Sequence, residues 1–69
     1  MELRPEDLRV DTYRSSRPAG VTDGAVRITH LPSGIVVSAD DADSATENKE
    51  LALQQLRERL IGWPPGGER

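Results

Sequence analysis

Val26-Arg27-Ile28-Thr29-His30-Leu31-Pro32-Ser33-Gly34-Ile35-Val36-Val37 decides the fold. Val26, Ile28 and His30 alternate with Arg27 and Thr29, the period-two pattern of a strand with one buried face. Leu31-Pro32-Ser33-Gly34 supplies a turn, with proline fixing φ early and glycine at the exit. Pairing Leu31 with Gly34 sets the register of a hairpin. It places Ile35 opposite His30, Val37 opposite Ile28 and Ala39 opposite Val26. One face is then apolar on both strands, and the other carries Arg27, Thr29, Val36 and Ser38. A slip of one residue would turn the apolar set to solvent, so pattern and turn specify the same register.

The flanking segments complete an α+β design. Upstream, Leu8, Val10 and Thr12 alternate with Arg9, Asp11 and Tyr13, which predicts a half-buried strand. Downstream, Ser44-Ala45-Thr46-Glu47 has the form of a capping box, in which the Ser hydroxyl accepts from a backbone N–H three residues on. Behind it Lys49, Ala52, Leu53, Leu56 and Leu60 recur at three- and four-residue spacing, an amphipathic helix. Arg57 and Arg59 suit the negative end of its dipole. Gly62 stops it, and Pro64-Pro65 forbid continuation. The expected architecture is a small, mostly antiparallel three-stranded sheet packed by one C-terminal helix. Its expected core is Leu8, Val10, Val26, Ile28, Ile35, Val37, Leu53, Leu56 and Leu60. The domain is expected over residues 1–62. A Pro/Gly-rich tail follows over 63–69, with Trp63 folding back on the helix end.

Composition bounds the rest. A chain of 69 residues makes one domain of marginal stability. With no Phe, one Trp and one Tyr, its core is aliphatic. The absence of Cys excludes disulfides, thiolate metal sites and a Cys nucleophile. No apolar run approaches a membrane span and no signal-peptide pattern opens the chain, so no membrane partner and a cytoplasmic location are expected. No cofactor or small-molecule motif is evident, and none is expected. The net charge of −3 opposes a simple phosphate-binding role, which calls for a basic stripe. The nearest thing to one is Arg9, Arg14, Arg17 and Arg27.

The run Asp7-Leu-Arg-Val-Asp-Thr-Tyr-Arg-Ser-Ser, then Thr22-Asp23-Gly24, Val26 to Val37, and Asn48-Lys49 with the Leu-rich segment after them closely resembles the catalytic domain of bacterial class I peptide chain release factors. The resemblance spans roughly residues 5–60. It implies work on the ribosome in translation termination or rescue, and it implies Arg14, Arg17, Arg27, Asn48 and Lys49 as candidate RNA contacts. No codon-reading domain fits in a chain of this length. The family carries a glycine-rich Gly-Gly-Gln loop between the Arg-Ser-Ser and Thr-Asp segments. Its tip places a backbone N–H and a water at the ester of peptidyl-tRNA, and that close approach needs glycines. Here the connection is only Arg17-Pro18-Ala19-Gly20-Val21, shorter and without Gln. The resemblance therefore implies a release-factor-like domain without peptidyl-tRNA hydrolysis, with no catalytic residue assigned.

Two further departures matter. Where the family is basic ahead of Asn-Lys, this chain has Asp43, Ala45, Thr46 and Glu47, with Asp40 and Asp41 nearby. Carboxylates suit a helix N-terminus and repel phosphate there. Asp40-Asp41-Ala42-Asp43 lacks the spacing and closing Glu of a calcium loop, so no metal site is expected. Gly66-Gly67-Glu68 echoes Gly-Gly-Gln but has a carboxylate where the amide is needed. His30, the sole His, has no nucleophile beside it and reads as a hydrogen-bonded structural residue. Three readings stay open: a ribosome-associated domain without hydrolysis, an active release factor with an atypical loop, and a non-ribosomal scaffold for protein contacts.

Overall fold

The computed structural model describes residues 3–18 and 20–63, apart from the side chain of Arg17. A 3-10 turn at Pro5–Asp7 leads into β1 (Leu8–Arg17), β2 (Gly20–His30) and β3 (Ile35–Ala39), and α1 (Ala45–Arg59) closes the chain order. The sheet is an antiparallel meander in the order β1-β2-β3. The register of the second hairpin is the one the sequence dictates: Val26 faces Ala39, Ile28 faces Val37 and His30 faces Ile35. Gly34 sits at φ 78°, where L side chains are strained, and its N–H donates to the His30 carbonyl at 2.7 Å.

The helix lies over β2 and β3. Together they bury Val26, Ile28, Val37, Ala39, Ala52, Leu56 and Leu60, with Leu3, Leu8, Ile35, Ala45, Leu53 and Trp63 packed at the margin. Val10 departs from the expected core and is 41% exposed. Its side chain is on the helix-side face beside Ile28, but the helix axis does not extend over β1. The helix stripe also differs from the expected one. Asn48, Ala52 and Leu56 are its buried residues, at strict four-residue spacing, and Lys49 is exposed.

Ser44 is the N-cap, in extended backbone, and its Oγ accepts from the Glu47 N–H at 3.1 Å. This bond satisfies one of the donors that the first helical turn leaves without a partner. Ser44→Ala is expected to lower stability by about 1 kcal/mol, read as a shift in the urea midpoint at constant slope. No shift would mean that water serves that N–H equally well.

At the other end the chain turns sharply. Gly62 adopts φ 86°, and the Trp63 N–H donates to the Leu60 carbonyl at 2.9 Å. This brings the Trp63 ring edge-on to His30, with centroids 5.5 Å apart. Trp63 thus packs on the domain's core margin and on a strand residue as well as following the helix end. Pro64 to Arg69, including Gly66-Gly67-Glu68, lie outside the described residues.

Candidate functional site

Beyond the helix, β1 and β2 continue as a two-stranded ribbon. Ser15 faces Thr22, Ser16 faces Val21 and Arg17 faces Gly20, so only Pro18 and Ala19 remain between the paired strands. Pro18 suits such a connection because its φ is already set, and Gly20 supplies a positive φ of 137° at the exit. Val21 is 57% exposed at this end. Of the loop residues singled out by sequence, Ala19 lies outside the described residues, as does the Arg17 side chain.

The ribbon joins the body through a bulge. Between the pairs Tyr13↔Ala25 and Ser15↔Thr22, β1 contributes Arg14 and β2 contributes Asp23 and Gly24. An extra residue on one strand bends it and increases its twist. The Thr22 Oγ1 accepts from the Gly24 N–H at 3.1 Å and holds the bulge shape. Gly24 is needed for close approach: a Cβ there would stand 2.8 Å from the Ala45 amide nitrogen and 3.0 Å from the Ser44 carbonyl carbon, both backbone. An isolated glycine inside a strand pattern is the one sequence signal that could have found this junction.

Asn48 locks the same junction. Its Nδ2 donates to the Gly24 carbonyl at 2.8 Å and to the Ala42 carbonyl at 3.0 Å, and its Oδ1 accepts from the Ala42 N–H at 3.0 Å. Asn48 is fully buried. It is therefore withdrawn as an RNA contact, because each end of its amide is occupied within the fold and no part of it reaches solvent. Ser15 adds a second tie, its Oγ donating to Asp40 Oδ2 at 2.6 Å. The acidic segment before the helix is thus fastened to the root of the ribbon. Among the described residues no group of three or more His, Asp or Glu is placed to hold a metal ion.

The cationic candidates are dispersed. The Arg14 Nε lies 3.0 Å from Asp23 Oδ1 across the bulge, and the Arg9 Nε lies 3.4 Å from Asp11 Oδ2. Both pairs are solvated, so they neutralise charge locally and contribute little stability. Arg9, Asp11, Arg27, Thr29, Leu31 and Val36 line a shallow hollow of about 300 Å³ on the sheet face away from the helix. Lys49 is exposed on the helix, across the sheet from Arg27. Among the described residues no continuous basic stripe joins them. His30 is buried, its Nδ1 hydrogen-bonded to Ser33 Oγ at 2.8 Å, and the Ile35 N–H donates to the same Oγ at 3.1 Å. It stabilises the turn, as expected of a structural His.

Comparison with known proteins agrees with this geometry. The model of the RF-1 domain family matches residues 1–64. Peptide chain release factor 1 of Frankia casuarinae is 53% identical over 66 residues, covering 90% of this chain. The factor of the same name from Thermobifida fusca is 55% identical over 65 residues, covering 88% of this chain. The solved structure of RF2 of Thermus thermophilus superposes with a TM-score of 0.74 at 42% identity, over 88% of this chain. In each case the chain spans only 18% of the length of the protein it matches. Sheet, helix and sequence together place the chain in the RF-1 domain family.

Proposed function

We propose that the chain is a release-factor-like domain that works with the ribosome in translation termination or rescue and does not hydrolyse peptidyl-tRNA. Membership of the RF-1 domain family and similarity to peptide chain release factors support the ribosomal setting. The observation that carries the second half is the pairing of the ribbon up to Arg17↔Gly20. With two residues left between the strands, there is no loop to project a backbone donor beyond the ribbon, and the chain contains no Gly-Gly-Gln. Stabilising charge on an ester oxygen needs a donor within about 3 Å of it. Arg14, Arg17, Arg27 and Lys49 are the side chains proposed to meet RNA. The Arg17–Val21 connection is proposed as the inert tip.

The test is release of labelled peptide from ribosomal complexes, with and without a stop codon, beside sedimentation with ribosomes at low and high salt. Co-sedimentation at low salt with no release above background is the expected result. Release by the unmodified chain, abolished by changing Pro18 and Gly20, would promote the active-factor reading. One observation favours a third reading, a scaffold away from the ribosome: Asp40, Asp41 and Asp43 stand before the helix, in a chain of net charge −3. That reading gains if no sedimentation with ribosomes occurs at any salt.

A further inference from the structure

We propose that the free edge of β1 pairs with the same edge of a second copy of this chain, across a two-fold axis at Val10, and joins two sheets into one. β1 is a ten-residue strand at the sheet edge. An edge of this length presents unpaired N–H and C=O groups. Alongside it, Val10 is 41% exposed on the helix-side face, because the helix covers β2 and β3 instead.

The phase of the ladder fixes which groups point outward. The Leu31 N–H donates to the Asp7 carbonyl at 2.8 Å, flanking the facing pair Leu8↔His30. In an antiparallel ladder such a flanking bond makes Leu8↔His30 a pair without mutual hydrogen bonds, and the pattern alternates from there. Arg9 and Asp11 therefore spend their backbone groups on β2. Val10 and Thr12 direct theirs to the free edge, and Leu8 offers only its carbonyl there, because its N–H donates back to the Pro5 carbonyl. A second β1 can engage only through these residues, so Leu8, Val10 and Thr12 must face the same set on the other copy.

Charge then selects one register. With Val10 facing Val10, Leu8 faces Thr12, and Arg9 faces Asp11 of the second copy on both sides of the axis. The next alignment in one direction sets Arg9 against Arg9, and in the other Asp11 against Asp11. Opposite charges directly across an antiparallel pair stabilise it, and like charges oppose it. Charges on an edge strand ordinarily guard it against pairing. This edge is guarded against other registers while complementary to itself in one. The 3-10 turn at Pro5–Asp7 takes the Leu8 N–H and so ends the ladder at the Leu8 carbonyl. The two-fold consumes both β1 edges, so the assembly closes as a dimer rather than growing. A ladder this short predicts weak association, with a Kd of roughly micromolar to millimolar.

Sedimentation equilibrium over a concentration series tests the proposal. The unmodified chain is expected to shift from monomer to dimer. Val10→Pro removes an N–H that points away from β2, so the chain's own ladder is kept while the new one is interrupted. The dimer Kd should rise at least about tenfold with the circular dichroism unchanged. Arg9→Asp chains alone and Asp11→Arg chains alone are expected to stay monomeric, and mixing the two should restore the dimer, because each facing pair is again of opposite charge. These changes leave the core untouched, so the mixing result stands even if Val10→Pro does not fold. A monomer at every concentration overturns the proposal, as does a dimer indifferent to Val10→Pro or a mixture that fails to associate.

Discussion

Asn48→Ala is expected to cost about 3 kcal/mol or more, although it removes only one polar side chain from a helix. The substitution strips the Gly24 carbonyl, the Ala42 carbonyl and the Ala42 N–H of a partner in one step. Each buried group left without a hydrogen bond costs roughly 1–3 kcal/mol, because the water it had in the unfolded chain is not returned to it. Asn48→Asp separates this from a simple loss of volume. It keeps an acceptor for the Ala42 N–H but aims a second oxygen at the Gly24 and Ala42 carbonyls, which repel it. It should therefore be at least as destabilising as Asn48→Ala, despite its closer shape. Urea unfolding of the three proteins provides the measurement. An Asp variant as stable as the parent would mean that the amide donor is not what holds the junction.

Leu56→Ala is the other large effect, about 2–5 kcal/mol. Leu56 is fully buried in the cluster that joins α1 to Val26, Ile28 and Val37. Removing its branched end loses the transfer free energy of the deleted carbons and leaves a cavity in a core with few side chains to fill it. A domain of this size has a stability of roughly 3–10 kcal/mol at ordinary values per residue, so the substitution removes a large share of it. Leu56→Met nearly conserves volume and should cost under about 1.5 kcal/mol. Equal melting temperatures for the Ala variant and the parent would place the helix face wrongly.

The hairpin was fully legible because two independent signals, the period-two pattern of Val26, Ile28 and His30 and the Leu31–Gly34 turn, demanded one register. Ser44 was legible for a similar reason, since a cap is a local device that needs only its own first turn. Val10 shows the limit. Alternation reveals which face of a strand a side chain takes, but not where along the sheet the helix will lie. Asn48 was misplaced because a polar residue counts as surface in any apolar spacing template, and only the tertiary fold reveals carbonyls at both ends of its amide. Lys49 entered the expected stripe on spacing alone, three residues before Ala52 and four before Leu53, and it is exposed. The resemblance supplied the family correctly, yet it cast Asn48 as a contact with RNA where this fold uses it as internal fastening.

The order of the elements has a consequence for how the chain is made. The three strands leave the site of synthesis first, and the helix that covers their apolar face is the last described element to follow. A three-stranded sheet with nothing over its apolar face is marginal in water. Until Leu56 and Leu60 emerge, Val26, Ile28 and Val37 have no lid, and Asn48 cannot secure Gly24 before α1 begins to form. Folding of this domain therefore waits for α1, and a nascent chain halted anywhere in the helix exposes a short adhesive strip of Val and Ile that chaperones or proteases would meet before the native domain exists.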